Sequence, residues 1–188
     1  AWQIYPAMAQ ALDRGNVALI DVRGLPYESS PVAAPGVQYL ANNPPGVVII
    51  VEWWHFRGVS AEMRDTVQKF TDAGSQVYVL DSFPFFPFSP EACVAPAAAA
   101  EPQCSIPRAD ADAVLAGYEE SLTHLVNDGG GEVLHTYDYF CSDEECSMVE
   151  DGTLIYFNDS HLNLTGTEMA VDRLLREHPE ISSPTAGF

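Results

Sequence analysis

"GVVIIVEWW", residues 46–54, decides the fold class. Its apolar side chains run consecutively from Val47 to Val51 and do not alternate with polar ones. A strand with one wet face alternates, whereas a strand covered on both faces has no reason to. The run is strand length, too short for a buried helix. It therefore predicts an inner strand with helices on both sides. "NVALIDV", Asn16 to Val22, and "SQVYVLDS", Ser75 to Ser82, have the same character, and "GEVLHTYDYF", Gly131 to Phe140, reads as a further strand. Helical stripes lie between them. Ile4, Met8 and Leu12 mark a helix over Trp2 to Asp13; Met63, Val67 and Phe70 mark another, capped by Ser60 and stopping near Gly74. Asp110 to Asn127 reads as one long helix with Val114, Leu115, Tyr118, Leu122 and Leu125 on one side. The last helix, opened by a capping box of Thr165 and Glu168, turns Val171, Leu174 and Leu175 inward and ends at Pro179. Helices alternating with buried strands mean an α/β layered fold with a mostly parallel sheet.

The 188 residues suit one domain over 1–188. Phe83 to Cys104 is too rich in proline for regular structure and reads as a surface excursion, so a Pro-rich insertion is expected at about 83–107. Strands of one kind flank it, which argues against a domain boundary. Its Phe83–Phe88 cluster is either a packed cap over the sheet edge or an acyl-chain surface, and the cap is favoured. The chain opens directly with a helix. In a doubly wound sheet the first helix follows a central strand whose turn lies at the ligand crevice, so that strand is expected upstream of Ala1.

Eight basic residues face 27 acidic ones. Such a surface repels phosphate backbones, which excludes nucleic acid as a partner. No apolar run approaches the roughly 20 residues that cross a bilayer. The four cysteines fall in two close pairs, Cys93 with Cys104 and Cys141 with Cys146. Even count and local spacing favour two disulfides and an oxidising compartment. Zinc is the rival reading, but Cys-x2-Cys spacing is absent. Two Asn-x-Ser/Thr sequons, at Asn158 and Asn163, flank a polar motif that a glycan would obstruct, and are read as coincidence.

That motif is "YFNDSHLNLTG", Tyr156 to Gly166. Residues two apart in an extended segment point the same way. Asp159 can thus reach the Nδ1 of His161 and leave Nε2 open to a hydroxyl nucleophile, with His161 as general base and then general acid. The rival reading is a polar turn whose side chains bond their own backbone. His55 follows Trp53 and Trp54 at a strand's C-terminal end, where α/β sites form, so Trp54 and His55 are candidate substrate-binding residues. His124 and His178 read as structural or surface, and His135 as a strand residue. No serine here offers a nucleophile: Ser29 and Ser30 lack a Gly-x-Ser-x-Gly turn, Ser82 ends a strand beside Phe and Pro, and Ser160 points away from the dyad.

"YFNDSHLNLTG" resembles the C-terminal catalytic block of the SGNH hydrolases, above all the extracytoplasmic SGNH domains fused to bacterial membrane acyltransferases. "VVIIVEWWHF" is similar to their strand ending in Trp. "VYVLDSFPFFPFSPEAC" is similar to the next strand with its Pro, aromatics and Cys, and "AWQIYPAMAQAL" to the helix following their Gly-Asp-Ser-His block. The resemblance runs in order through nearly the whole chain. It implies an SGNH-hydrolase-like (flavodoxin-like) three-layer sandwich and an extracytoplasmic domain, tethered to a membrane in the full-length protein. It also implies transfer or hydrolysis of a short O-acyl group, acetyl above all, on a cell-envelope glycan or glycolipid acceptor. A fused or paired membrane acyltransferase domain is the implied partner. No metal or organic cofactor is required. The nucleophile serine would stand upstream of Ala1, and the family's Gly and Asn oxyanion donors are not evident. The family's Asp usually stands three residues before its His, where this chain has Asn158; either Asp159 serves with a shifted backbone or the dyad is weakened. Two rivals remain open: a degenerate SGNH fold that binds carbohydrate or a partner protein, and a stand-alone secreted esterase.

Overall fold

The computed structural model describes residues 17–19, 34–52, 54–94 and 104–182. The helix expected over Trp2 to Asp13, Trp53, and the serines at 29 and 30 lie outside the described residues.

Four parallel strands form the main sheet: β1 (Val17–Leu19), β2 (Val47–Val51), β3 (Gln76–Leu80) and β5 (Glu132–Leu134), in that spatial order. Val51 pairs with Leu80 and Leu80 with Leu134, so three strands end at one carboxyl edge. The run that decided the fold class is buried on successive residues, with Val47, Val48 and Ile49 wholly inaccessible. Burying each such side chain contributes about 1.5–3 kcal/mol. That outweighs any gain from leaving one face wet. The fold is α/β, as the sequence predicts.

Helices Ala34–Asn42 (α1), Glu62–Asp72 (α3) and Glu119–Asp128 (α5) pack together, α1 and α5 each against α3; α3 lies on β3 and α5 on β5. Met63, Val67 and Phe70 turn inward from α3 as their spacing predicts, all fully buried. The Ser60 hydroxyl accepts from the Glu62 N–H at 3.3 Å. At the other end Gly74 has φ +99°, a left-handed conformation that glycine adopts without strain. A short helix, Trp54–Arg57 (α2), follows β2.

Several expectations are corrected. The long helix over Asp110 to Asn127 is two, Arg108–Leu115 (α4) and α5. The break falls at Gly117 and Tyr118, where the tyrosine leaves helical geometry and donates its hydroxyl to the Asp81 carbonyl at 2.8 Å. The strand expected through Phe140 stops at Leu134, because the next N–H groups turn to the Asp81 carboxylate; residues Tyr137–Phe140 form a 3-10 turn. The expected insertion closes on a strand: Ser105–Pro107 (β4) pairs antiparallel with Glu145–Ser147 (β6). A small hairpin, Val149–Glu150 (β7) with Thr153–Leu154 (β8), precedes the last long helix, Leu164–Glu177 (α6). The capping box is also corrected. Asn163 is the N-cap, accepting from Gly166 N–H at 2.9 Å and donating to Leu154 O at 2.7 Å; Thr165 is already inside the helix. Val171 and Leu174 are buried and Leu175 half-buried. Pro179 opens a last short helix, Pro179–Ser182 (α7).

Cys141 and Cys146 form a disulfide across the acidic loop. Cys93 and Cys104 are thiols in this structure and not the expected bridge. Burial and then a hydrogen bond with Cys104 push the Cys93 thiol up to about 12.

Candidate active site at the carboxyl edge of the sheet

The edge where β2, β3 and β5 end is organised around Asp81. Its side chain is buried, with 1% exposure. A buried carboxylate needs partners, and this one has them on both oxygens. Oδ1 accepts from Thr136 N–H at 2.8 Å, Tyr137 N–H at 2.9 Å and the Thr136 hydroxyl at 3.1 Å. Oδ2 faces Nδ1 of His135 at 3.2 Å. His135 stands just past the end of β5 and not within it. Its pKa is raised, first by this hydrogen bond, with the charges of Asp81, Glu119 and Asp138 adding to it against burial. The Thr136 hydroxyl also lies 2.9 Å from the carbonyl of Ser82.

These bonds hold Ser82 at φ +90°, where a residue with a side chain rarely sits. Such strain costs on the order of 1–3 kcal/mol and persists only where the surroundings over-determine it. Here the carbonyls of Asp81 and Ser82 are both fixed and the Asp81 carboxylate is anchored.

A cleft of about 280 Å³ opens along this edge, lined by Trp54, His55, Val59, Val114, Tyr118 and Ser121. A recess of about 10 Å³, lined by Ser82, Phe83, Phe85, Tyr137 and Ser160, shares His55, Val114 and Tyr118 with it. The two candidate binding residues divide. Trp54 lies on the cleft wall but is 1% exposed, and its indole N–H donates to Leu80 O at 2.7 Å, a core anchor first. His55 is exposed, lines both spaces, and stacks on Phe85 with centroids 5.5 Å apart. The Phe83–Phe88 cluster is mostly a cap, as favoured. Phe86 is fully buried edge-on against Tyr156, and its N–H donates to Asp159 O at 2.8 Å; Phe83 and Phe85 face the recess.

That last backbone bond ties the cap to the loop before α6, which carries His161. The Nδ1 of His161 lies 3.0 Å from Oδ1 of Asn158. The same atom receives the N–H of His161 at 2.8 Å and of Ser160 at 3.1 Å. Two backbone donors converge on it, so it is the amide oxygen, an acceptor. Nδ1 must then carry the proton, which leaves Nε2 as the basic nitrogen. The expected partner is corrected: Asp159 turns its carboxylate to the Ser160 hydroxyl at 2.7 Å and makes no hydrogen bond to the ring. The backbone is turned, not extended, across residues 158–161, so the two-apart rule does not hold here. Burial lowers the pKa of half-buried His161, while the Asp159 charge works against that from a distance. Ser160 lines the recess, which puts the His161 loop beside the cleft.

Sequence reading missed Asp81 as a site-building residue, weighed Ser82 only as a nucleophile, and noted Asn158 only as standing where the family has Asp. The signal for Asn158 was its place three before the histidine. Asp81 and Ser82 stood at a strand's carboxyl end ahead of "FPFF", but no spacing rule links Asp81 to Thr136 and Tyr137. His124 is exposed beside Asp128 and His178 lies against Glu180, both away from this edge.

Comparison with known proteins bears on this arrangement. The family model described as "SGNH domain (fused to AT3 domains)" matches residues 6–176. A solved structure, the periplasmic domain of a lipopolysaccharide acetyltransferase from Salmonella ser. Paratyphi A, is similar to this fold with a TM-score of 0.60 at 14% sequence identity. The match covers 77% of this chain and 61% of that one. No curated protein matches.

Proposed function

Because this chain belongs to the SGNH domains that occur fused to AT3 domains, we propose that it transfers a short acyl group, acetyl above all, to a hydroxyl of a cell-envelope glycan or glycolipid. The observation that carries this reading is the His161 ring, its Nδ1–H held by Asn158 and its loop joined to a cleft at the carboxyl edge of a parallel sheet. That edge is where open α/β sheets take their ligands.

The chemistry follows from the tautomer. His161 Nε2 takes the proton of a serine hydroxyl as the serine oxygen bonds the acyl carbon, then returns it to the departing donor oxygen. In the second half the acceptor hydroxyl gives its proton to Nε2, attacks the acyl-serine, and the serine oxygen leaves with that proton. The serine is assigned to no residue of this sequence. The amide of Asn158 fixes the ring as a carboxylate would, but adds no negative charge to stabilise the imidazolium; Asp159 supplies charge at longer range. An extracytoplasmic position agrees with the Cys141–Cys146 disulfide and with a fused membrane acyltransferase partner. No described helix is long and apolar enough to cross a membrane.

His161→Ala in the full-length protein is expected to lower hydrolysis of a chromogenic acetyl ester by about 10²–10⁴-fold, the usual share of a general base. Unchanged hydrolysis refutes the assignment. One observation favours a second reading, a binding module without turnover: the neutral Asn158 stands where the ring wants a carboxylate. Glycan binding with neither turnover nor labelling by a fluorophosphonate would establish it.

A further inference from the structure

The polar groups that line the small recess can be followed one by one. Tyr118 donates its hydroxyl to Asp81 O, Tyr137 to Ala111 O at 3.1 Å, and Ser160 to Asp159 at 2.7 Å. Two remain, the Ser82 hydroxyl and the His55 ring. Among the described residues neither makes a hydrogen bond, although both face the recess. A hydroxyl donates and accepts, and a neutral imidazole offers one donor and one acceptor. The space between the walls, about 10 Å³, is at the lower limit for one water-sized group. The strained corner at Asp81 keeps Ser82 at this spot.

The adjoining cleft narrows the ligand further. At about 280 Å³ it falls just short of the roughly 300–1,000 Å³ of drug-sized pockets, so it suits a single ring and not an extended chain. No Lys, Arg, Asp or Glu lies among the described residues that line either space. The chain as a whole carries a formal charge of −19, which repels anionic ligands. His55 and Phe85, stacked at the junction, offer flat faces to the apolar side of a ring.

We infer that the recess takes one hydroxyl oxygen of a neutral sugar ring, hydrogen-bonded by Ser82 and His55, with the body of the ring in the adjoining cleft. Calling that hydroxyl the acyl acceptor rests on the acyl-transfer reading; the binding itself does not.

The test is binding, read in the full-length protein by the nitrogen-15 NMR shift of the indole N–H of Trp54, a residue that lines the cleft. Methyl glucoside is the neutral probe and glucuronate the anionic one. Methyl glucoside is expected to shift that resonance and glucuronate to bind at least tenfold more weakly. Ser82→Ala and His55→Phe should each weaken methyl glucoside by about tenfold, the usual effect of losing one hydrogen bond. Ser82→Gly, which tolerates the positive φ, guards against an effect of strain alone and should match Ser82→Ala. Equal binding of both probes, or affinity within twofold of wild type in both Ser82 variants, overturns the inference. Fluorophosphonate labelling of Ser82 also overturns it, since the hydroxyl would then be a nucleophile. Sugar binding that depends on Ser82, without any ester hydrolysis, leaves this inference standing and removes the acyl-transfer reading; the converse does the reverse.

Discussion

Asn158 holds the His161 ring with a neutral amide oxygen. Its oxygen is fixed by two backbone N–H groups and in turn fixes the Nδ1 proton of His161. Asn158→Asp should therefore raise the pKa of His161, because an opposite charge at hydrogen-bond distance favours imidazolium. It should also raise ester hydrolysis severalfold; the titration is read by NMR of the ring. Asp159→Asn should move the pKa the other way, since its charge is what opposes the effect of burial. In the wild type the acid limb of kcat/KM is expected below the ordinary value of 6.5, as the lowered pKa keeps Nε2 unprotonated further into acid. His135 has the opposite sign. Its folded-state pKa is raised, so its bond to Asp81 stabilises fully below about 6.5 and fades as pH rises through the raised value. Thermal melts should show His135→Ala losing more stability at pH 5.5 than at pH 9. Neither behaviour follows from residue type: the two rings differ in what folding put beside them.

At the scale of elements, close approach decides more than propensity. Gly166 sits in the first turn of α6, where an added Cβ would strike the backbone carbonyl of Ile155. That backbone cannot give way, because Ile155 donates to Met148 O at 2.9 Å and accepts from Asn163 N–H at 2.9 Å. An ordinary helix gains up to about 1 kcal/mol from Gly→Ala. Here Gly166→Ala is expected to lose about 1–3 kcal/mol by overpacking, measured by urea unfolding. The loop carrying His161 lies between Ile155 and this helix, so the variant should weaken ester hydrolysis as well. The β2 run makes the complementary case. Ile49 is wholly buried, and Ile49→Ala should cost about 2–5 kcal/mol in the same assay. Periodicity found both elements, and even their inward faces. It missed where the Asp110–Asn127 helix breaks and where β5 ends, since both stops are imposed by Asp81, far away in sequence.

For the whole molecule, the layered fold places three strand ends side by side, and the site is what lies beyond them. The two cysteine pairs give a test of the compartment. Cys141 and Cys146 are bridged and Cys93 and Cys104 are thiols, so protein recovered from an oxidising compartment and alkylated without reduction should carry two alkyl groups. Four added groups would mean that neither pair is bridged and would weaken the extracytoplasmic reading. By itself the sequence determined the α/β class, the inner strands and the inward faces of the described helices, because each is written in local pattern: consecutive burial and helical spacing. Only the tertiary structure decided that Asn158 and not Asp159 holds the ring, that Trp54 is an anchor, and that Asp81 holds Ser82 at the recess. Those outcomes depend on which donors converge on which oxygen, and a buried oxygen accepts from whatever the packing brings to it, across any distance in the chain.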